Sequence, residues 1–424
     1  MRTCAQMPYH SGIVFRFYPS FRQRRIVAIN GGCDRAVYNK LKELNDEAYH
    51  IKKTAPFVPC DKERLEYINS ILHNTEKGLN SCLKNLMPFL YGEDVDSLTV
   101  DNSIKHYKAA WARFRDNPGS GIPQFKKKSY ETSYQTNAHY KKDAKCINDG
   151  NARFEDVSHL ILPILGRVRI SGSKKRTLSL MNREDTRIGT ITVVRDNIGR
   201  YYVSLQLASE NPFVDALPKT GAMAGIDLNI ENFLWDSDGN VVDNPIFKKT
   251  ELHQIVMLQR AMSRKVEQAK RDKKKLSDSR NYQKNRRKLA LLYSKIAGRW
   301  KNFRHVISKR YIENQDYLFA EDLKVKNLLK NHHLAASISE CGWSDFLRML
   351  EYKAELYDKV FLKVPPHYTT QTCSSCGHVL SGDDKLTLGD REWICPKCGA
   401  YHIRDYNAAR NILMKGLIAL GMAS

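Results

Sequence analysis

Hydrophobic and polar positions change rhythm several times along the chain, and each change marks an element or a break. "GIVFRFYPSFRQRRIVAINGGCDRAVYNKL" opens with strand-like Val14, Phe15, Phe17 and Tyr18 and turns at a proline. It continues with Ile26, Val27, Ile29, Val37 and Tyr38 at an imperfect helical spacing. From Lys40 to Arg115 the period stays helical, and "NSILHNTEKGLNSCLKNLMPFL" and "NSIKHYKAAWARFRD" are amphipathic. Pro118, Gly119, Gly121 and Pro123 then break the helix. Between Tyr134 and Leu207 the runs become β-branched and aromatic. "HLILPILGRVRIS", "TLSLM", "IGTITVVRD" and "RYYVSLQLA" predict strands, and "RDNIGRYY" predicts a hairpin turn. The first half thus reads as a β module interrupted by a helical insertion.

In the second half, "AMAGIDLNIENFLWDSDGNVVD" predicts a strand, a tight turn and a second strand, with Asp238-Gly239 starting another turn. Thr250 to Tyr311 is helical and very basic. Leu276, Leu289, Leu292, Ile296 and Trp300 give it an apolar stripe, which predicts a helical hairpin with one basic face. "QDYLFAEDL" is a strand, "SDFLRMLEYKAELYD" a helix and "KVFLKVPP" a strand again. That alternation is α/β.

Composition narrows the partners. The chain has 424 residues and is 42% hydrophobic, enough for several domains with real cores. It carries 69 Lys+Arg against 46 Asp+Glu, a formal charge of +23, which favours a nucleic acid whose phosphates shed counterions on binding. No apolar run approaches the roughly 20 residues that span a bilayer, so no membrane partner is expected. The start has no secretory pattern, and the expected location is cytoplasmic, in a prokaryote, near the nucleoid. Ten cysteines in this length do not make a disulfide scaffold. Cys4, Cys33, Cys60, Cys82, Cys146 and Cys341 are scattered and predicted to be reduced thiols.

The remaining four cysteines form two CxxCG knuckles, Cys373–Cys376 and Cys395–Cys398. Four thiolates at this spacing close a tetrahedral site, so a zinc ion here is structural; a redox dithiol is the weaker alternative. His402 and Asp405 are then surplus to that metal.

Three acidic residues stand out. Asp227 lies inside the apolar strand "AGIDL", where an acid is costly unless paired or metal-bound. Glu321 closes "YLFAEDL". Asp405 opens the last helix, where it could simply act as a cap. Taken together, carboxylates from two strands and a following helix suit two magnesium ions about 4 Å apart hydrolysing a phosphodiester, the RNase H arrangement.

At these residues the chain resembles the TnpB (OrfB) proteins of insertion sequences and the related compact type V CRISPR effectors. The likeness runs from about Gly12 to Gly416. It is most specific in "KVKNLLKNHHLAASISECGWSDFLRMLEYKAELY", "QTCSSCG", "REWICPKCG" and "RDYNAARNIL", with earlier matches in "FRFYP", "YNK", "GIPQFKKKS" and "GIDLNIENF". It implies a multi-domain α/β chain: a wedge β-barrel over 1–30 and 130–215 and a helical recognition lobe over 31–129. A RuvC-like nuclease of RNase H fold would follow over 221–365 and 403–424, with a zinc-ribbon target-nucleic-acid-binding module inserted at 366–402. It also implies Asp227, Glu321 and Asp405 as catalytic magnesium ligands, and an enzyme that binds a guide RNA (transposon-derived or CRISPR RNA). Such an enzyme recognises a short motif beside double-stranded target DNA, opens an R-loop and cuts both strands in one site. It would work as a monomer or as a homodimer on one guide. Nucleic-acid contacts are expected at Ser133, Tyr134, Gln135 and Thr136 and at Lys126, Lys127, Arg286, Arg287 and Arg404. Two departures, Ile403 where relatives carry Asp and "GRWKNFRH" where they carry an Asn-x-Arg-x-Asp run, spare all three carboxylates. The competing functions are a non-cleaving guided repressor and a strand-transfer transposase.

Overall fold

The computed structural model describes residues 4–54, 59–141, 144, 146–332, 334–387 and 389–423, without the side chains of Thr54, Pro59, Cys60 and Lys326. Cys4, Cys33, Cys82, Cys146 and Cys341 are free thiols, as expected; the Cys60 side chain lies outside the described residues. No helix among the described residues is long and apolar enough to cross a membrane. The chain folds as two compact units, Met1–Phe213 and Val214–Ser424.

In the first unit, β1 (Tyr9–Tyr18) leads across Pro19 into α1 (Phe21–Thr54), followed by α2 (Pro59–Leu72), α3 (Glu76–Leu86) and α4 (Ser97–Asp116). Alternation in β1 buries Ile13, Phe15 and Phe17 and leaves Val14 and Tyr18 exposed. The imperfect stripe of α1 is completed by polar residues, because Asn30 and Asp34 are buried on the same face as Ile26, Val27, Val37 and Tyr38. Asn30 Nδ2 donates to the Ile26 and Asp94 carbonyls, and its Oδ1 accepts from the Asp96 N–H. A fully bonded amide can sit in a core without an unpaid desolvation cost.

The chain then forms β2 (Thr132–Asn137), β3 (Arg153–Asp156), β4 (His159–Leu162), β5 (Gly166–Ser171), α5 (Lys174–Met181), β6 (Thr186–Arg195) and β7 (Tyr201–Ser209). The strands make one antiparallel sheet in the order β2-β6-β7-β1-β5-β4-β3. One hydrophobic cluster takes side chains from every strand, from Tyr134 at one edge to Phe154 at the other. "TLSLM" is the exception to the strand reading: it is the end of α5. Ser173 caps that helix by accepting from the Arg176 N–H, and burial falls on Thr177 and Leu180, three apart, while Leu178 is exposed. The alternation in these five letters is accidental, and the cap just upstream decides the element.

The second unit is built on β8 (Met223–Leu228), β9 (Asn232–Asp236), β10 (Val241–Asp243), β11 (Tyr317–Glu321) and β12 (Val360–Val364). Their order is β10-β9-β8-β11-β12: an antiparallel meander joined to two strands parallel to β8. α6 (Phe247–Arg271) and α7 (Arg280–Asn314) form the expected hairpin, with Leu276 in its turn. Ile296 and Trp300 are buried and Leu289 and Leu292 pack beside them, while Arg264, Lys270, Arg271, Lys273, Lys274 and Lys275 are exposed. α8 (Val325–Leu328), α9 (Ala335–Cys341) and α10 (Trp343–Leu356) follow β11. After β12 come the cysteine knuckles with β13 (Glu392–Ile394) and β14 (Tyr401–Ile403), then α11 (Arg404–Ala419).

The sheet is covered on both faces. Ala224, Ile226, Leu318 and Ala320 pack with α6, α7, α9 and α10. Phe319, one step out of phase, packs with Ile412 and Leu413 of α11. Residues 225, 227, 319 and 321 therefore share the α11 face.

Candidate active site and metal knuckle

Register brings the first two acids together. Ala320 pairs with Ile226 across the parallel β8–β11 ladder, so Asp227 and Glu321 are the next residues on two adjacent strands, on one face. α11 closes over that face because two glycines let it. A Cβ on Gly225 would sit 2.3 Å from the Ala409 carbonyl oxygen, and one on Gly416 would sit 2.1 Å from the Phe319 ring. Asp405, in the first turn of α11, is thereby delivered to the strand ends. It is no helix cap: the cap position is Ile403, which makes no side-chain capping bond.

The electrostatics of the three acids follows from their surroundings. Burial, followed by the Glu321 and Asp405 charges, pushes the Asp227 carboxyl well above the ordinary carboxylate range, against the pull of Arg404. Burial raises Glu321 as well, offset by the Thr369 hydroxyl that donates to its Oε1 and by the Lys415 ammonium. Burial raises Asp405, offset by Arg391 and Arg404, with Glu231 adding to the rise. Asn229 Nδ2 donates to Asp405 Oδ2 at 3.1 Å, and Arg391 Nη1 lies 3.8 Å from the same oxygen. Asp227 is thus a buried acid that feels the negative charge of two half-buried ones, Glu321 and Asp405.

The knuckle is equally well formed. Sγ atoms of Cys373 and Cys398 lie 3.7 Å apart, as do those of Cys376 and Cys395. Sulfurs of a tetrahedral site with ~2.3 Å metal–sulfur bonds are about 3.8 Å apart, so the four thiols fit zinc. They are one group of side chains close enough to share an ion. Gly377 and Gly399 both adopt φ +73°, turning the chain after each CxxC. Burial raises the Cys395 thiol, but the Cys398 and Lys397 N–H groups and the Cys398 thiol outweigh it and bring it to about 7. His402 stands outside this set. It stacks on Trp393 with ring centroids 4.6 Å apart, and its Nε2 lies 3.0 Å from Cys373 Sγ.

The expected nucleic-acid residues fall in both units, and each is described within its own unit. Alternation in β2 turns Tyr134 and Thr136 into the core, contrary to their expected role, and leaves Ser133 exposed. Gln135 Oε1 faces His106 Nε2 at 2.9 Å, and its Nε2 donates to Thr192 Oγ1. Lys126 is held by Asp34 at 2.9 Å over the Tyr38 ring, whereas Lys127 is exposed. On α7, Arg286 Nε donates to Gln283 and Arg287 is exposed. Arg404 Nη1 donates to the Thr387 carbonyl. Sequence reasoning missed Asn229, Thr369, Arg391 and Asn411. The legible signal was in "RDYNAARNIL", where Asn407 and Asn411 interrupt the buried face of a helix four residues apart.

Three family models match this chain. The model described as "Cas12f1-like, TNB domain" covers residues 343–412, and the OrfB model described as "Probable transposase" covers 204–332. An OrfB helix-turn-helix model covers 7–53, which in this structure are β1 and one uninterrupted helix. A Streptomyces pristinaespiralis protein named as an RNA-guided DNA endonuclease is 30% identical over 406 residues, 96% of this chain and 89% of the relative. The Escherichia coli (strain K12) relative InsQ, named likewise, is 28% identical over 350 residues, 78% of each chain. Among solved structures, Cas12f1 in its complex with guide RNA and target DNA matches with TM-score 0.52 at 15% identity. That match covers 95% of this chain and 98% of the other, and shows a shared fold. The chain belongs to the TnpB (OrfB) family and shares a domain with the related Cas12f1 effectors.

Proposed function

We propose that this chain is an RNA-guided DNA endonuclease that hydrolyses both strands of a target duplex at one site. The observation that carries the reading is that Asp227, Glu321 and Asp405, from β8, β11 and α11, come together on one face of the sheet, Asp227 buried and the other two half-buried. The five-strand order, a meander followed by two strands parallel to its first, supports a RuvC-like RNase H fold over 221–365 and 403–424. The cysteine module at 366–402 is then the inserted zinc ribbon. In the first unit, the seven-stranded sheet would be the wedge barrel (1–30 and 130–215) and α1–α4 the recognition lobe (31–129).

Asp227, Glu321 and Asp405 would hold the magnesium ions, which when bound neutralise charge on the attacking and leaving oxygens of phosphodiester hydrolysis. The chain's own groups do the rest. Asn229 orients Asp405, Thr369 orients Glu321, and Arg391 and Arg404 keep positive charge beside a site that must accept a phosphate. The exposed bases of the α6–α7 hairpin suit a phosphate backbone, and Ser133 is the exposed β2 side chain left to meet base edges. The +23 charge fits a guide RNA and a DNA target together.

The test is to express the protein with its native flanking DNA and sequence the RNA that copurifies. A repeat followed by varied spacers supports a CRISPR-type guide, and a single RNA ending just past a transposon end supports a TnpB-type guide. No enriched RNA overturns guided cleavage.

A further inference from the structure

The last helix and the cysteine knuckle are tied by side chains that neither coordinate nor react. Asn407, fully buried, accepts from the Ser374 N–H at 2.8 Å through Oδ1 and donates to the Thr372 carbonyl at 2.8 Å through Nδ2. Asn411, one turn on, donates through Nδ2 to the Thr369 carbonyl at 2.8 Å and the Thr372 carbonyl at 2.6 Å. Thr369 is buried, and its hydroxyl donates to Glu321. Thr372 and Ser374 flank Cys373, and Asn407 lies two residues beyond Asp405. The Arg404 N–H, beside Asp405, donates to the Arg391 carbonyl just ahead of β13 at 2.8 Å.

We infer that the knuckle and the carboxylate site are one mechanically coupled unit: the metal-loaded knuckle holds Glu321 and Asp405 in register through Thr369, Asn407 and Asn411. The three act as positioning residues. Buried amides spanning two segments have one satisfied arrangement, so a knuckle that opens must either strand these groups or pull α11 and Thr369 with it. Cation binding at the carboxylates and zinc binding at the thiols then help each other. The inference rests on the proposed reading of the three carboxylates as a cation site.

The coupling is measurable without cleavage, because linkage makes it reciprocal. Full-length protein is titrated with Mn²⁺ followed by its paramagnetic resonance signal, zinc-loaded and zinc-stripped. Zinc affinity is measured by competition with a chelator, with and without Mn²⁺. The expected result is that each metal raises affinity for the other on the order of 5-fold or more, the lower range of ordinary allosteric coupling. Asn411→Ala should collapse that factor toward one, and Thr369→Val, a nearly isosteric change, should weaken Mn²⁺ binding while leaving zinc content intact. Asp227→Asn should remove tight Mn²⁺ binding altogether. Absence of Mn²⁺ binding that Asp227→Asn abolishes would overturn the cation-site reading, and this inference with it. Mn²⁺ binding that depends on Asp227, with zinc affinity unchanged by Mn²⁺ in every variant, would overturn the coupling alone.

Discussion

Gly225 on the central strand and Ala409 on the last helix meet backbone to backbone, leaving no room for a side chain between them. This contact sets the depth of α11 and hence the reach of Asp405. Gly225→Ala should destabilise the second unit on the order of 3 kcal/mol, the upper range for overpacking, because its neighbour is a carbonyl rather than a flexible side chain. Urea unfolding checks this; a loss within experimental error would mean that α11 is not seated on β8 as described.

The acidic site should reveal itself in the pH dependence of stability. Folding raises the pKa of Asp227, Glu321 and Asp405, so each holds its proton more tightly folded than unfolded. That contribution is complete below the ordinary range near pH ~4 and is lost as pH rises through the raised values. In chelator, Asp227→Asn should therefore melt above the parent at neutral pH, by about 2–4 °C per kcal/mol relieved. The gap should close on acidification and reverse when magnesium is added. Thermal melts across pH, with and without magnesium, decide the point.

Lys359 and Asp316 have the opposite sign. Lys359 Nζ donates to Asp316 Oδ1 and to the Pro218 carbonyl, while Asp316 Oδ2 accepts from the Thr220 and Gly221 N–H groups. Burial pushes the Asp316 carboxyl up, but Lys359 and those two N–H groups outweigh it and hold it well below the usual range. Its contribution is present above the ordinary carboxylate range and lost as pH falls through the depressed value. Lys359→Met leaves a buried carboxylate without its cation and should cost about 3–5 kcal/mol at neutral pH, with a smaller penalty in acid. An equal penalty at both pH values would remove the pair from the account.

Cys395→Ser should lower bound zinc from about one atom per chain to a small fraction, since three thiolates no longer close the tetrahedron. Elemental analysis of the purified protein reads this directly, and unchanged zinc would contradict the four-cysteine site.

Much of this was legible in the letters. The two CxxCG knuckles, the acid inside "AGIDL" and the acid ending "YLFAE" each violate the local pattern of their element, and such violations mark sites. The α6–α7 hairpin was equally plain, because basic charge and apolar period coincide there. "TLSLM" reads as a strand but is helical, because five residues cannot distinguish a two-residue from a three-residue period. Tyr134 and Thr136 read as surface residues from sequence because polarity alone does not show which face of a strand is buried. The Thr369–Glu321 and Asn411–Thr369 bonds join residues far apart in sequence, and only the folded register of β11 and α11 brings them together.

The most direct test of the central claim is cleavage of a matched DNA duplex by purified protein loaded with its guide RNA in magnesium, comparing the parent with Asp227→Ala. The account predicts that the parent cuts both strands, and that the variant binds the same target within a few-fold but does not cut. A variant that cuts as fast as the parent would place the chemistry elsewhere and contradict the assignment of Asp227, Glu321 and Asp405.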